Sequence, residues 1–255
     1  MAWDPQTYLR FGTQRTRPAV ELLSRVDMDA PASVVDLGCG PGNSTALLAA
    51  RWPRAKLTGV DASQEMLDEA ATSGVRAKWQ LADAAQWKPD APCDVMFSNA
   101  TLQWIADHKN LLPRLIGHVA PGGVFAFQVP VNFSEPCHTL IQDVAKAGPW
   151  AKKLNAVRDY GHVQTAETYF DILEPHAASM DIWETRYLQV LHGEDAVFHW
   201  MRGTGLRPFA AALDGDEREA FLEQYRVRVA RAYPMRKSSV TLYPFQRLFV
   251  VARKS

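Results

Sequence analysis

The sequence predicts an α/β fold: a doubly wound, mostly parallel sheet with helices on both faces. Short runs that are apolar throughout alternate with helical patterns from about residue 20 to residue 130. A glycine-rich turn, Gly38-Cys39-Gly40-Pro41-Gly42, joins the first of these runs to a helix. The next two runs are each followed by an acidic residue, Asp61 and Asp83.

Val20-Glu21-Leu22-Leu23 opens a helical stretch, and Ser33–Leu37 reads as a buried strand. After the glycine turn, Asn43 is placed to cap a helix through Ala46, Leu47, Leu48 and Ala50. Lys56–Val60 is the second strand, ending at Asp61; Ser63 caps the next helix, which Gly74 ends. Val75–Gln80, Cys93–Ser98 and Val124–Val129 are the third, fourth and fifth strands. Leu111, Leu112, Leu115, Ile116 and Val119 form a helical stripe, and Pro121-Gly122-Gly123 reads as a turn. Beyond residue 130 the alternation stops. Residues 131–181 read as helical and irregular, 182–190 as a strand, 195–202 and 216–232 as helices, and 242–251 as a last strand. No Ser/Gly-rich linker appears, so the chain 1–255 is expected to be a single domain. Residues 31–130 are its binding core, 1–30 a helical segment over the site, and 131–181 with 192–237 helical cap insertions. In a doubly wound sheet, ligands bind at the carboxyl ends of the strands.

Composition narrows the partners. Lys plus Arg and Asp plus Glu are both 28, and both halves of the chain are near neutral. A nucleic-acid-binding domain ordinarily carries a basic excess, so nucleic acid is not expected. No apolar run reaches the ~18–20 residues of a membrane span, and residues 1–5 carry no basic leader, so a cytoplasmic protein without a membrane partner is expected. Cys39, Cys93 and Cys137 lie far apart, without metal-ligand or redox spacing; the histidines show no metal spacing either, and no metal is expected.

The glycine turn is the strongest single feature. Backbone without side chains comes close to a ligand, and unpaired helix N–H groups favour an anionic group. A dinucleotide site wants G-x-G-x-x-G, but Asn43 stands at its last position; a P-loop wants a lysine that Asn43-Ser44-Thr45 lacks. Asp61 at the end of strand two suits both hydroxyls of a ribose, and Asp83 after strand three suits an exocyclic adenine amine.

This pattern resembles the class I S-adenosyl-L-methionine (SAM) methyltransferases over about residues 33–130. The resemblance implies a seven-stranded Rossmann-like sheet and the cofactor SAM, with S-adenosyl-L-homocysteine as product. It implies that Gly38, Gly40 and Gly42 pack on the methionine part and that Asp36 helps hold its ammonium. Asp61 then matches the ribose ligand, Asp83 the adenine ligand, and the backbone of Asn99 a position beside the methyl group. Trp104 and an N-terminal aromatic, Tyr8, belong over the cofactor.

Further segments are similar to the trans-aconitate 2-methyltransferases. They are Trp3-Asp4-Pro5 with Tyr8, Arg17-Pro18-Ala19, Ser98-Asn99-Ala100, Leu102-Gln103-Trp104, Asp181-Ile182-Trp183, Thr204–Pro208 and Arg247–Arg253. The resemblance implies methyl transfer to a carboxylate of a small tricarboxylate, by an enzyme taken as a monomer or weak homodimer. Such an acceptor is already anionic at neutral pH, because carboxyl pKa values lie near ~4. No general base is needed, and no catalytic residue is assigned. Arg17, Arg207 and Arg247 are the candidate carboxylate partners, since a guanidinium pairs with carboxylate in two places. Tyr160 and His162 are candidate helpers, as are Gln128 and Tyr243. Four other readings stand beside this one: a SAM methyltransferase for another small acceptor, an NAD oxidoreductase, a nucleic acid methyltransferase, and a non-catalytic SAM-binding module.

Overall fold

The structure is a computed structural model that describes residues 12–157 and 161–255. Its strands are β1 (Ser33–Leu37), β2 (Lys56–Asp61), β3 (Lys78–Leu81), β4 (Cys93–Asn99), β5 (Val119–Pro130), β6 (Ala177–His192) and β7 (Val240–Lys254). They form one seven-stranded sheet in the order β3-β2-β1-β4-β5-β7-β6. From β3 to β5 the pairings are parallel, and β7 joins β5 antiparallel. The helices are α1 (Gly12–Ser24), α2 (Asn43–Arg51), α3 (Gln64–Thr72), α4 (His108–Gly117), α5 (Pro136–Ala147), α6 (Ala166–Leu173), α7 (Ala196–Arg202), α8 (Arg207–Ala211) and α9 (Gly215–Ala232).

The chain divides into two compact units. Among the described residues, one comprises 13–130, 162–185 and 247–255; the other comprises 12, 131–157, 161 and 186–246. In the first, the central strands are buried on both faces: Val34, Val35 and Leu37 of β1, Val95, Met96 and Phe97 of β4, and Phe125 to Phe127 of β5. Burying each large side chain of this kind contributes about 1.5–3 kcal/mol. β3 lies at the sheet's edge, and its four residues are half-buried or exposed. The doubly wound architecture expected from the alternation is therefore the one observed.

In the second unit the core is aromatic. Trp150 meets Phe221 edge-on, Phe209 stacks on Phe221, and Tyr243 packs between Trp200 and Tyr233. Cys137, at the start of α5, anchors this cluster. Its sulfur accepts from the Tyr243 hydroxyl, its amide donates to Tyr233, and its carbonyl accepts from Tyr225. Tyr243 is fully buried and engaged in this core, so it is a packing residue and not the substrate helper expected of it.

Several local expectations shift. The cap of α2 is Gly42, in the left-handed conformation, and Asn43 is the first helical residue. Ser63 does cap α3, accepting from the Met66 amide at 3.3 Å. β3 starts at Lys78 instead of Val75, and β6 at Ala177 instead of Ile182. Pro121-Gly122-Gly123 lies inside β5 and is a bulge: Cys93 pairs Val119 while Val95 pairs Val124. The extra residues are accommodated because Gly122 takes a positive φ. No helix among the described residues is long and apolar enough to cross a membrane.

Candidate active site

The site is built in the first unit, at the carboxyl ends of the central strands. The pairings Asp36 with Phe97, Asp36 with Gly59 and Asn99 with Gln128 set the faces. Because side chains alternate along a strand, Asp36, Asp61, Asn99 and Gln128 share one face of the sheet. Arg247, opposite Pro130 on the antiparallel neighbour, joins them on that face.

The turn after β1 takes its shape from glycine. Gly38, Gly40 and Gly42 all have positive φ, at 77°, 53° and 88°. A Cβ on Gly38 would lie 2.0 Å from the Thr101 hydroxyl oxygen, whereas a Cβ on Gly40 would meet nothing within 4 Å. So the turn is closed on its Thr101 side and open at Gly40, where a ligand can lie against bare backbone.

Asp36 sits beneath this turn, 1% exposed. Its Oδ2 accepts from the hydroxyls of Ser44 and Thr45 at 2.7 and 2.6 Å. Its Oδ1 is buried without a hydrogen-bond partner among the described residues. Burial pushes the Asp36 carboxyl up to about 6, against the two hydroxyls, which pull it down; the nearby charge of Asp61 adds to the rise. A buried carboxylate oxygen with nothing to accept is costly, and a cationic donor removes that cost. The Ser44 and Thr45 contacts were not foreseen from sequence, although two hydroxyl residues in the first turn after a glycine loop are a legible signal.

Asp61 closes β2 facing the same turn. Its Oδ2 accepts the Gly40 amide at 2.9 Å and its Oδ1 the Ser63 amide at 2.9 Å. Each oxygen keeps further acceptor capacity, which suits a pair of vicinal hydroxyls. Asp83 is exposed after β3, and its Oδ1 accepts the Ala85 amide at 2.8 Å. Trp79 was missed. It lies over Gly42 and Gly59, where a Cβ on Gly59 would be 2.4 Å from the indole. The isolated glycine inside strand two is the signal for such a close approach.

At the end of β4 the chain turns sharply. Ala100 is left-handed, with φ 56°, although it is not glycine. Gln103, 4% exposed, donates to the Ala100 carbonyl at 2.6 Å. Trp104, on the same short 3-10 turn, is 46% exposed. The His162 amide donates to the Gln103 carbonyl at 3.0 Å, so His162 joins this turn. His108 supports it from below. Its Nε2 must donate to the Leu102 carbonyl at 2.9 Å, which leaves Nδ1 to accept from the Tyr169 hydroxyl at 2.8 Å. Burial lowers the pKa of His108, in keeping with this neutral state.

Arg247 is 5% exposed. Its Nη1 donates to Gln128 Oε1 at 3.0 Å, and Gln128 Nε2 donates to Asn99 Oδ1 at 2.7 Å. Of the other predicted residues, Arg17 is exposed on α1, and Arg207 is exposed at the start of α8 in the second unit. Tyr8 and Tyr160 lie outside the described residues. Among the described residues no cluster of His, Cys, Asp or Glu can hold a metal ion.

Comparison with known proteins assigns the family. Residues 34–123 match a model of a methyltransferase domain. A trans-aconitate 2-methyltransferase of Azoarcus sp. is 48% identical over 250 residues, covering 98% of each chain. One of Methylobacterium radiotolerans is 47% identical over 99% of this chain and 98% of its own. The chain belongs to the trans-aconitate 2-methyltransferase family. Solved structures agree with this family in fold. The YcgJ protein of Bacillus subtilis superimposes with a TM-score of 0.61 at 11% identity, covering 93% of this chain and 98% of its own. Phosphoethanolamine N-methyltransferase 2 of Haemonchus contortus gives 0.56 at 14% identity, over 94% of this chain and 53% of its own. At those identities the fold is what is shared. In a member of the trans-aconitate 2-methyltransferase family, the open Gly40 backbone, the Asp36 Oδ1 without a partner among the described residues and the double acceptor Asp61 form a set of acceptors that fits the ammonium and hydroxyl groups of SAM.

Proposed function

We propose that this protein transfers the methyl group of SAM to a carboxylate oxygen of trans-aconitate, releasing the monomethyl ester and S-adenosyl-L-homocysteine. The observation that carries the reading is the buried Asp36 oxygen without a hydrogen-bond partner among the described residues, set beside a glycine turn that is open at Gly40. A buried acceptor there calls for a cation, and the α-ammonium of a methionine group is one.

When bound, the sulfonium supplies an electrophilic methyl. The already anionic carboxylate oxygen would take that methyl without giving up a proton, leaving S-adenosyl-L-homocysteine. No proton moves, so no residue of this chain acts as general base. Its residues bind, orient and exclude water. Asp36 holds the ammonium, Asp61 the ribose and Asp83 the adenine amine. The glycines and the Asn99 backbone line the methionine part, and Trp104 and Tyr8 cover the cofactor. Arg17, Arg207, Arg247, Tyr160 and His162 serve the acceptor, and residues 131–181 and 192–237 supply substrate selection. The match of full-length relatives across these segments supports that assignment, because the domain model ends at residue 123.

The deciding experiment incubates the protein with SAM and trans-aconitate and analyses the product by mass. A monomethyl ester is expected. No ester, or transfer to a phenol or amine in a parallel panel, overturns the reading. Arg207→Ala should raise KM for trans-aconitate by about 1.5–3 kcal/mol equivalent per charge-assisted bond lost, with cofactor affinity unchanged.

A further inference from the structure

We propose that Gln128 is a positioning residue that turns the amide nitrogen of Asn99 outward as a donor for the acceptor's carboxylate. This rests on the carboxylate acceptor proposed above.

Three buried or half-buried polar side chains stand in line on one sheet face. Arg247 donates to Gln128 Oε1 at 3.0 Å, and Gln128 Nε2 donates to Asn99 Oδ1 at 2.7 Å. Gln128 is 0% exposed and Arg247 5%. A guanidinium has only donors and stays protonated. Gln128 must therefore turn its oxygen to Arg247 and its nitrogen away. Asn99, meeting that nitrogen, must offer its oxygen in turn. The polarity of both amides is dictated from one end by a charge that does not titrate.

Asn99 is half-buried where β4 ends. Its Oδ1 is engaged with Gln128, and Nδ2 has no hydrogen-bond partner among the described residues. On either side of Asn99 in the chain, the Ser98 hydroxyl donates to Leu37 O at the end of β1 and the Thr101 hydroxyl to Gly38 O, so Asn99 lies beside the glycine turn. An N–H donor there favours an anionic acceptor and disfavours a cationic amine, whose own N–H groups it would face. The selectivity is set by the direction of an amide, which Asn99 alone does not determine.

The test reverses the direction. In Gln128→Glu both carboxylate oxygens only accept. One pairs Arg247, which compensates the buried charge, and the other forces Asn99 to present Nδ2 inward and Oδ1 outward. KM for trans-aconitate should rise about tenfold or more, with S-adenosyl-L-homocysteine affinity and melting temperature little changed. In an Asn99→Ala background the same substitution should cost less than about threefold, because the amide it acts through is gone. An equal cost in both backgrounds, or no cost with Asn99 present, overturns the inference. If Gln128→Glu does not fold, Asn99→Asp serves: its second oxygen faces the acceptor, KM should rise by a similar factor, and an unchanged KM overturns the inference. A wild-type protein that methylates no carboxylate overturns the proposed function and this role with it. An active wild type indifferent to these substitutions overturns the relay alone.

Discussion

Asp61 Oδ2 accepts the backbone N–H of Gly40 at 2.9 Å, so the acid that closes β2 also holds the glycine turn that follows β1. Loop geometry and, in the proposed reading, ribose recognition thus depend on one side chain. Asp61→Ala should weaken S-adenosyl-L-homocysteine binding by about 100-fold or more, from two lost charge-assisted hydrogen bonds. Calorimetry gives the affinity and circular dichroism reports the fold. An unchanged affinity removes the ribose assignment.

The second prediction concerns acid and cofactor. With its carboxyl at about 6 instead of 3.8, Asp36 of the cofactor-free protein holds a proton that an unfolded chain releases. Its contribution to stability therefore falls as pH rises between about 4 and 6, and above that it destabilises the fold by about 3 kcal/mol. Binding an ammonium needs the charged form. Cofactor affinity should be level above pH 6, fall about tenfold per unit below it, and release a proton near pH 5.5. Asp36→Asn should bind the cofactor at least about tenfold more weakly and abolish the proton release, while the empty protein melts no lower than wild type. A pH-independent affinity between 5 and 7 would falsify this linkage.

Turnover of the carboxylate at saturating SAM should stay flat from about pH 6 to 8. The acceptor is ionised throughout, and the Arg247 guanidinium does not titrate in that range. A rate that climbs with a single group near pH 7 would point to a hydroxyl or amine acceptor.

Gly38→Ala should cost at least about 2 kcal/mol of stability and abolish cofactor binding. The left-handed backbone penalises an L-residue by about 1–2 kcal/mol. The new methyl would also lie 2.0 Å from the Thr101 hydroxyl oxygen. Thr101→Ala should not rescue it, because Thr101 Cβ itself is 2.5 Å from that position. Full rescue of binding in the double variant would show that the turn tolerates a side chain.

Acid should destabilise the protein through its buried and half-buried histidines. Burial lowers His138 to about 4 and lowers His108 and His118 as well. Below pH 6.5 the unfolded chain takes up protons that the folded one refuses, so their contribution falls with pH and outweighs the opposite trend of Asp36. The urea midpoint should drop between pH 6.5 and 5, and less so in His138→Gln. An equal drop in that variant would acquit His138.

Much of this molecule is legible in its residues. The alternation of apolar runs with helical stripes specifies a parallel sheet, because a strand apolar throughout needs cover on both faces. Glycines at 38, 40 and 42 and acids at 36, 61 and 83 mark the turn and strand ends where a cofactor is proposed to lie, because turn chemistry and strand ends are local. What the sequence could not decide is which distant strands become neighbours. β7 lies antiparallel against β5, and only that pairing places Arg247 beside Gln128 and, through it, Asn99. The same limit hid Trp79 over Gly59, and the hydroxyls of Ser44 and Thr45 on a single Asp36 oxygen. Periodicity is written residue by residue, whereas register and burial arise when the chain has closed on itself, and it is burial that leaves Asp36 with one oxygen unmet among the described residues.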